Sequence, residues 1–144
     1  MIVSFDFDST IALSEWDKEE NDYVRDERGD QIQHLNPKIA AKIKEHKVNG
    51  DTVYVLTTRY AIWREDTQKF LEDNNLWGYI DDLIFTNGAW KANKAKKLGI
   101  KKHYDDDSEE LRRLKYKGIE GVMVHDDHAA SMEKLNQRGG GWQW

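Results

Sequence analysis

Acidic, hydroxyl and basic side chains recur at the ends of apolar runs in this chain of 144 residues. Asp6 and Asp8 follow the apolar residues 2–5, and Thr10 comes directly after them. Thr57, Thr58 and Arg59 follow a second apolar run, Lys91 opens the helix expected after a third, and Asp105 and Asp106 follow the short segment Lys102-His103-Tyr104. Each residue type alone is common in turns and helix caps. Their repeated placement after apolar runs, in one order along the chain, indicates a single site.

These residue types together are suited to holding a metal ion and a phosphate. Clustered carboxylates repel one another and need a cation, and oxygen ligands with few geometric constraints favour Mg²⁺. The hydroxyl groups, Arg59 and Lys91 would hold an anion opposite that metal. Phosphoryl transfer depends mainly on positioning and on neutralised charge, so phosphate is the expected guest.

The elements that would position these residues alternate between buried strands and helices. Short apolar runs predict strands at residues 2–5, 53–56, 83–85 and 122–124, and Lys102-His103-Tyr104 is predicted as a further short strand, which makes five. Helices are expected between them, at residues 37–49, 61–75, 91–98, 108–117 and 129–136. Such alternation is typical of an α/β fold with a doubly wound, Rossmann-like, mostly parallel sheet of about five strands and helices on both faces. The carboxyl ends of those strands share one edge, where the candidate residues would converge.

Two segments fall outside this alternation. Residues 14–35 are strongly charged and contain Arg28-Gly29-Asp30, a turn sequence, so they predict a small hairpin flap near the first strand. Residues 139–144 form a tail rich in glycine and tryptophan. The prediction is therefore a single domain over residues 1–138, with no large cap domain.

The composition excludes several classes of protein. A net charge of −5 argues against nonspecific binding along a nucleic-acid backbone, although it is compatible with a site for one phosphate. No apolar run reaches the roughly 18–20 residues of a membrane span, and no secretory signal is recognised. The absence of cysteine excludes thiolate metal sites and suits a reducing compartment. A cytoplasmic protein without membrane contact is expected.

The four elements resemble the motifs of the haloacid dehalogenase (HAD) superfamily. Residues 2–10 resemble its first motif, an apolar strand followed by Asp-x-Asp-x-Thr. Residues 53–57, an apolar strand ending in threonine, are similar to its second motif. Lys91 fits the third motif, and Tyr104-Asp105-Asp106 fits the fourth. The resemblance covers the chain from Ile2 to about Val124.

The resemblance implies a phosphatase that works through an aspartyl-phosphate. Asp6 would be the nucleophile, and Asp8 would protonate the leaving oxygen and then deprotonate the attacking water. Thr57 and Lys91 would hold the phosphoryl oxygens. Mg²⁺ would be bound by Asp6, by the main-chain carbonyl of Asp8, and by Asp105 or Asp106, with the choice between these two left open.

The expected substrate is a phosphorylated small molecule, such as a nucleotide, or a nucleic-acid end. By resemblance, members without a large cap act on bulky phosphates or borrow a cap from a partner subunit, which would make the protein a homo-oligomer. Thr57-Thr58-Arg59 is also similar to the Ser-Gly-Arg of polynucleotide 3′-phosphatase domains, in which the arginine binds phosphate. Thr58 replaces the glycine of that motif, and Ser9 replaces a glycine that is usual in the first motif.

Other interpretations stay open. Asp126 and Asp127, within the run of residues 125–128, are a rival fourth motif. A signalling receiver domain also combines acids, a hydroxyl and a lysine on a doubly wound sheet, although its lysine comes last along the chain. A HAD fold that binds ligands without catalysis is the third alternative.

Tryptophan is abundant, with six in the chain. Trp16 lies in the expected flap, where an aromatic ring is a candidate for stacking on a base. Trp63 and Trp77 flank the helix expected over residues 61–75 and are predicted to pack in the core.

Overall fold

A computed structural model of the chain describes residues 1–124, and its centre is a five-stranded sheet. The strands are, in chain order, β1 (Ile2–Phe5), β2 (Ala12–Ser14), β3 (Trp16–Asp17), β4 (Asp22–Tyr23), β5 (Gln33–Leu35), β6 (Thr52–Thr57), β7 (Asp82–Phe85), β8 (Lys102–Asp105) and β9 (Glu120–Met123). The helices are α1 (Pro37–Val48), α2 (Arg64–Asp73), α3 (Ala92–Leu98) and α4 (Ser108–Tyr116). Short 3₁₀ turns cover Ala61–Trp63 and Trp77–Tyr79.

The central sheet has the strand order β7-β6-β1-β8-β9, and every neighbouring pair in it is parallel. Phe5 in β1 is paired with Val55 on one side and with Tyr104 on the other. The chain moves outward from β1 through β6 and β7, then returns to β8 on the opposite side of β1. The strand order therefore reverses next to β1, which is where open α/β sheets bind ligands at the carboxyl ends of their strands.

The helices cover both faces of the sheet, as predicted. Ile39 and Ile43 of α1 and Leu71 of α2 share one apolar cluster with Val3 and Phe5. A second cluster joins α3 and α4 to the opposite face, and its buried members include Leu56, Ile84, Ala95 and Leu114. Because successive residues of a strand point to opposite faces, the apolar strands contribute side chains to both clusters.

Local signals in the sequence place the helix ends correctly. The side chain of Asn36 accepts hydrogen bonds from the backbone N–H groups of Lys38 (3.1 Å) and Ile39 (3.3 Å), so it caps α1 ahead of Pro37. Gly99 ends α3 with φ +76°, a conformation that glycine adopts without a Cβ clash.

Residues 12–35 form the flap, which here means two small antiparallel pairs inserted after β1. β2 pairs with β5, and β3 pairs with β4. Gly29 lies in the turn between β4 and β5 with φ +84°. In that turn the side chain of Asp26 accepts hydrogen bonds from the backbone N–H groups of Arg28 and Asp30. Trp16 packs edge to face against Tyr23 at 5.2 Å within the flap. The hairpin flap is thus present and starts two residues before the predicted boundary.

Trp63 is not the core residue that the sequence predicts, since it is 49% exposed. The prediction assumed a regular helix from residue 61, which would align Trp63 with the buried Thr67 and Leu71. The α-helix instead begins at Arg64, after the 3₁₀ turn Ala61–Trp63, and Trp63 is its N-cap with non-helical backbone angles (φ −92°, ψ 14°), so helical periodicity does not set its direction. Trp77, by contrast, is partly buried against the core.

Some expectations lie outside the described residues. These are the helix at residues 129–136, the run at residues 125–128 with its rival acid pair, and the tail at residues 139–144. Within residues 1–124, none of the helices combines the length and the apolar composition that crossing a bilayer requires.

Candidate active site

Three carboxylates meet at the carboxyl ends of β1 and β8. Asp6 directly follows β1, Asp105 ends β8, and Asp106 comes next. One ligand oxygen from each lies within 4.8 Å of the others. Asp6 and Asp105 are buried and Asp106 is half-buried. Because β1 and β8 are neighbours in the sheet, residues about a hundred positions apart in the chain share one cluster.

Lys91 supplies a cation to this cluster. Its Nζ donates to Asp6 Oδ1 at 2.8 Å and to Asp105 Oδ2 at 2.6 Å, and the side chain is only 2% exposed. Glu110, which is also buried, accepts the backbone N–H of Lys91 at 3.1 Å and has its Oε2 3.8 Å from Nζ. The Glu110 contact holds the start of α3 in a position from which Lys91 reaches the carboxyl ends of both β1 and β8.

Glu110 was missed as a site residue. Its position three residues after Asp107 predicts a capping box for α4, and Asp107 does accept from the backbone N–H groups of Glu109 and Glu110. The Glu110 carboxylate instead contacts Lys91, the residue that directly precedes α3. A local pattern could not reveal that partner, which is 19 residues away along the chain.

A buried hydrogen-bonded chain lies beneath the acidic cluster. His103 Nε2 is 2.8 Å from Asp105 Oδ2, and His103 Nδ1 is 2.6 Å from Ser4 Oγ. Burial lowers the pKa of His103, so the ring is neutral. The ionised carboxylate can only accept, so Nε2 carries the proton and Nδ1 accepts from the Ser4 hydroxyl. The sequence predicted a strand here and no role for either side chain.

The electrostatics of the cluster favour an added cation. Burial raises the pKa of Asp6, and burial together with the charge of Asp105 raises the pKa of Asp106 to about 7. Burial would also raise the pKa of Asp105, but the His103 hydrogen bond and the Lys91 charge hold it well below its usual value. One ammonium thus faces three crowded carboxylates, and hard oxygen ligands of this kind fit a divalent cation such as Mg²⁺.

The carboxylate of Asp8 belongs to a different group. It accepts hydrogen bonds from Nε and Nη2 of Arg59, each at 2.8 Å, and from the side-chain amide of Gln33 at 3.0 Å. Burial would raise the pKa of Asp8, but the hydrogen bonds and charge of Arg59 lower it. Arg59 also donates to Thr67 at 3.1 Å and lies 4.6 Å from the ring centre of Phe7. The phosphate-binding role of Arg59 stays a prediction. The geometry shows a bidentate ion pair between Arg59 and Asp8.

Gln33 was also missed by the sequence analysis. It lies in β5 of the flap, 25 residues from Asp8, and contacts both Asp8 and Arg59. Nothing in the local sequence distinguishes it from the other polar residues of the flap. Its contacts join the flap to the site.

The predicted hydroxyl groups lie at different depths. Thr10 is buried and donates to Asp6 Oδ2 at 3.4 Å. Thr57 is buried at the end of β6, where its Oγ1 accepts the backbone N–H of Arg59 at 3.1 Å. Thr58 is exposed. Ser9, the replacement for a glycine, has φ +66°, a conformation in which glycine carries less strain.

Comparison with protein-family models and with curated proteins finds no match for this chain. Solved structures do match its fold. A chain of the Pnkp1/Rnl/Hen1 RNA repair complex aligns with a TM-score of 0.62 and 20% identity, over 86% of this chain and 42% of its own length. The present chain therefore spans less than half of that protein.

Two other structures match over almost their whole length. A HAD-superfamily hydrolase from Ehrlichia chaffeensis has a TM-score of 0.55 and 11% identity, with 94% of this chain and 97% of that chain covered. The D,D-heptose 1.7-bisphosphate phosphatase from B. bronchiseptica, solved with magnesium and phosphate, has a TM-score of 0.50 and 14% identity, with 96% and 99% covered. The chain described here has the fold of the haloacid dehalogenase superfamily.

Proposed function

We propose that this chain is a Mg²⁺-dependent phosphomonoester hydrolase that forms an aspartyl-phosphate on Asp6. The observation that carries the proposal is the position of Lys91, whose buried ammonium bridges Asp6 and Asp105 beside the carboxylate of Asp106. A nucleophilic carboxylate, a fixed cation and further metal-ligand oxygens are thus gathered at one strand edge. The HAD fold, shared with a phosphatase solved with magnesium and phosphate, adds support.

Asp6, the main-chain carbonyl of Asp8, and Asp106 would hold the Mg²⁺. Asp106 is favoured over Asp105 because Asp105 already accepts three hydrogen bonds, whereas Asp6 accepts two. Oδ2 accepts from Lys91 and His103, and Oδ1 accepts the backbone N–H of Asp107 at 3.0 Å. When bound, Mg²⁺ would neutralise phosphate charge and polarise the phosphoryl group.

The side chains of this chain account for both chemical steps. A carboxylate oxygen of Asp6 attacks phosphorus, and the bond from phosphorus to the ester oxygen breaks. Asp8, once protonated, would give its proton to that leaving oxygen, and its carboxylate, which Arg59 stabilises, would then take a proton from the water that attacks the aspartyl-phosphate. Inorganic phosphate leaves and the Asp6 carboxylate is restored. Lys91 and Thr57 hold phosphoryl oxygens, while Arg59 and Gln33 orient Asp8.

A nucleotide or a nucleic-acid end is the proposed substrate class. Two observations support it: the similarity of Thr57-Thr58-Arg59 to a polynucleotide 3′-phosphatase motif, and the shared fold with a chain of an RNA repair complex. The flap is the only insertion between β1 and α1 in the described residues. A site without a larger cover accommodates a bulky substrate.

Phosphate release measured with Mg²⁺ and with EDTA tests the proposal. The substrates are p-nitrophenyl phosphate, 5′- and 3′-nucleotides, and a 3′-phosphorylated oligonucleotide. Release should require Mg²⁺ and be lost in Asp6→Asn. Asp73→Asn, at an exposed aspartate that pairs with Lys69 on α2, should behave as wild type. Release that persists in EDTA, or no release from any substrate, would contradict the proposal.

A further inference from the structure

A groove of about 590 Å³ opens beside Asp8 and Arg59. Residues 26–33 of the flap form one wall, and residues 58–66, between β6 and the first turn of α2, form the other. Asp8 is the proposed acid for the leaving oxygen, so the leaving group must lie within hydrogen-bond reach of it. The groove is the space next to Asp8 that can receive that group.

Two large aromatic side chains are exposed on the second wall. Tyr60 is 56% exposed and Trp63 is 49% exposed. The Tyr60 ring packs closely on Gly88, where an added Cβ would lie 3.0 Å from the Tyr60 hydroxyl oxygen. The backbone N–H of Trp63 donates to the Tyr60 carbonyl at 2.9 Å, so one short turn holds both residues. An exposed aromatic ring on the wall of a groove offers a face on which a flat ring can stack.

The charge of the groove is negative. It contains two arginines and four aspartates, namely Arg28, Arg59, Asp8, Asp26, Asp30 and Asp66. Each arginine is already paired, Arg59 with Asp8 and Arg28 with Asp30 at 3.4 Å. No ion pair within residues 1–124 neutralises Asp26 or Asp66. A second phosphate on the substrate would lie near these carboxylates and be repelled, and a nucleic-acid strand carries one phosphate per nucleotide.

We propose that the groove binds the leaving group and that this group is a nucleoside, stacked on Trp63 and Tyr60 and carrying no second phosphate. The substrate would be a nucleoside monophosphate, and the acidic rim would select against a nucleic-acid end. This inference rests on the proposed function and narrows its substrate class. The proposal also explains why Trp63 is exposed, since its ring would contact the base of the substrate.

Binding to the Asp6→Asn variant of the 144-residue chain with Mg²⁺ tests the stacking without turnover. Calorimetry would compare adenosine 5′-monophosphate with ribose 5-phosphate, which lacks the base. The nucleotide should bind roughly 5- to 100-fold more tightly, as expected for one stacked base. Adding Trp63→Ala should abolish that preference. Tyr116→Ala, at a 79% exposed aromatic on α4 outside the groove, should retain it. Equal affinities for the two ligands, or a preference that survives Trp63→Ala, would overturn the assignment.

The acidic rim is tested with a ligand that has one more phosphate. At low ionic strength, the 5′-phosphorylated dinucleotide pApA should bind at least about fivefold more weakly than adenosine 5′-monophosphate. Replacing both rim acids, Asp26→Asn with Asp66→Asn, should narrow this difference. Glu65→Gln, at the exposed neighbour of Asp66 that does not line the groove, should leave it unchanged. Tighter binding of pApA by the parent protein would overturn the proposal in favour of a nucleic-acid end.

Phosphate release from ribose 5-phosphate separates failure of this inference from failure of the proposed function. If the wild-type protein hydrolyses ribose 5-phosphate as efficiently as the nucleotide, the hydrolase assignment stands and the nucleoside groove is wrong. If the nucleotide binds in a Trp63-dependent way but neither ligand is hydrolysed, the groove stands and the hydrolase assignment is wrong.

Discussion

The carboxylate of Asp8 and the guanidinium of Arg59 face each other through two hydrogen bonds of 2.8 Å, although 51 residues separate them in the chain. This pair connects the end of β1 to the end of β6. It keeps the Asp8 carboxylate apart from the acidic cluster, where Asp6 contacts Lys91. The two aspartates of the first motif therefore have different surroundings, and the ionised form that Arg59 favours at Asp8 is the form that can take a proton from water.

Arg59→Met should lower kcat by roughly 100-fold, because Asp8 loses the bidentate partner that orients it. KM for a phosphomonoester should stay within about twofold if Arg59 acts mainly on Asp8. Steady-state kinetics would measure both constants. Arg64→Met is the control, since Arg64 contacts the Leu83 carbonyl and not Asp8. A large rise in KM with kcat unchanged would instead favour the phosphate-binding role predicted from the sequence.

Lys91→Met should reduce kcat/KM by roughly 100- to 1,000-fold, since it removes the buried cation that faces the phosphoryl oxygens. Lys94→Met is a matched control in the same helix, because Lys94 is exposed. Phosphate release and thermal unfolding, both measured with Mg²⁺ present, would separate lost catalysis from lost folding. Loss of activity in Lys94→Met with activity retained in Lys91→Met would show that the third motif is misplaced.

Ser4→Ala should lower the free energy of unfolding by about 1–3 kcal/mol, because the buried Nδ1 of His103 loses its donor. Urea denaturation would measure the change. Thr86→Ala removes a solvent-exposed hydrogen bond to the Ala89 carbonyl and should cost less, since water replaces the lost partner. Equal losses in the two variants would contradict the stabilising role of the buried hydrogen bond between Ser4 and His103.

Gly121→Ala should destabilise the protein by about 1–3 kcal/mol through overpacking. An added Cβ would lie 2.8 Å from Leu111 Cδ2 and 3.3 Å from Leu111 Cβ, where α4 crosses β9. Gly78→Ala should change stability by no more than about 0.5 kcal/mol, because its Cβ would meet nothing within 4 Å. Denaturant midpoints of the two variants provide the comparison, and indistinguishable midpoints would contradict the packing of α4.

The parts of the fold that depend on local patterns were predictable. Asn36-Pro37 and Gly99 mark helix ends because caps and left-handed glycines act within a few residues. The strands β1, β6 and β7 were recognisable because each contains a short apolar run. Their carboxyl ends share an edge, which brought Asp6 and Lys91 together in the prediction as in the structure.

The errors and omissions arise where distant contacts decide. Trp63 was assigned to the core from helical periodicity, but it precedes α2 in a 3₁₀ turn and is exposed beside Asp8. Gln33 and Glu110 reach the site through tertiary contacts that leave no local pattern. His103 was read only as part of a strand, because the partners of its ring are on β1 and at the end of its own strand.

A rapid acid quench with a ³²P-labelled phosphomonoester most directly tests whether Asp6 is the nucleophile. The account predicts transient label on the peptide that contains Asp6, removed by hydroxylamine and absent with EDTA. The label should turn over quickly, whereas persistent label would favour a receiver-like phospho-acceptor. Asp6→Asn should show neither label nor phosphate release. Phosphate release by Asp6→Asn at a rate near that of the wild type would contradict the central claim.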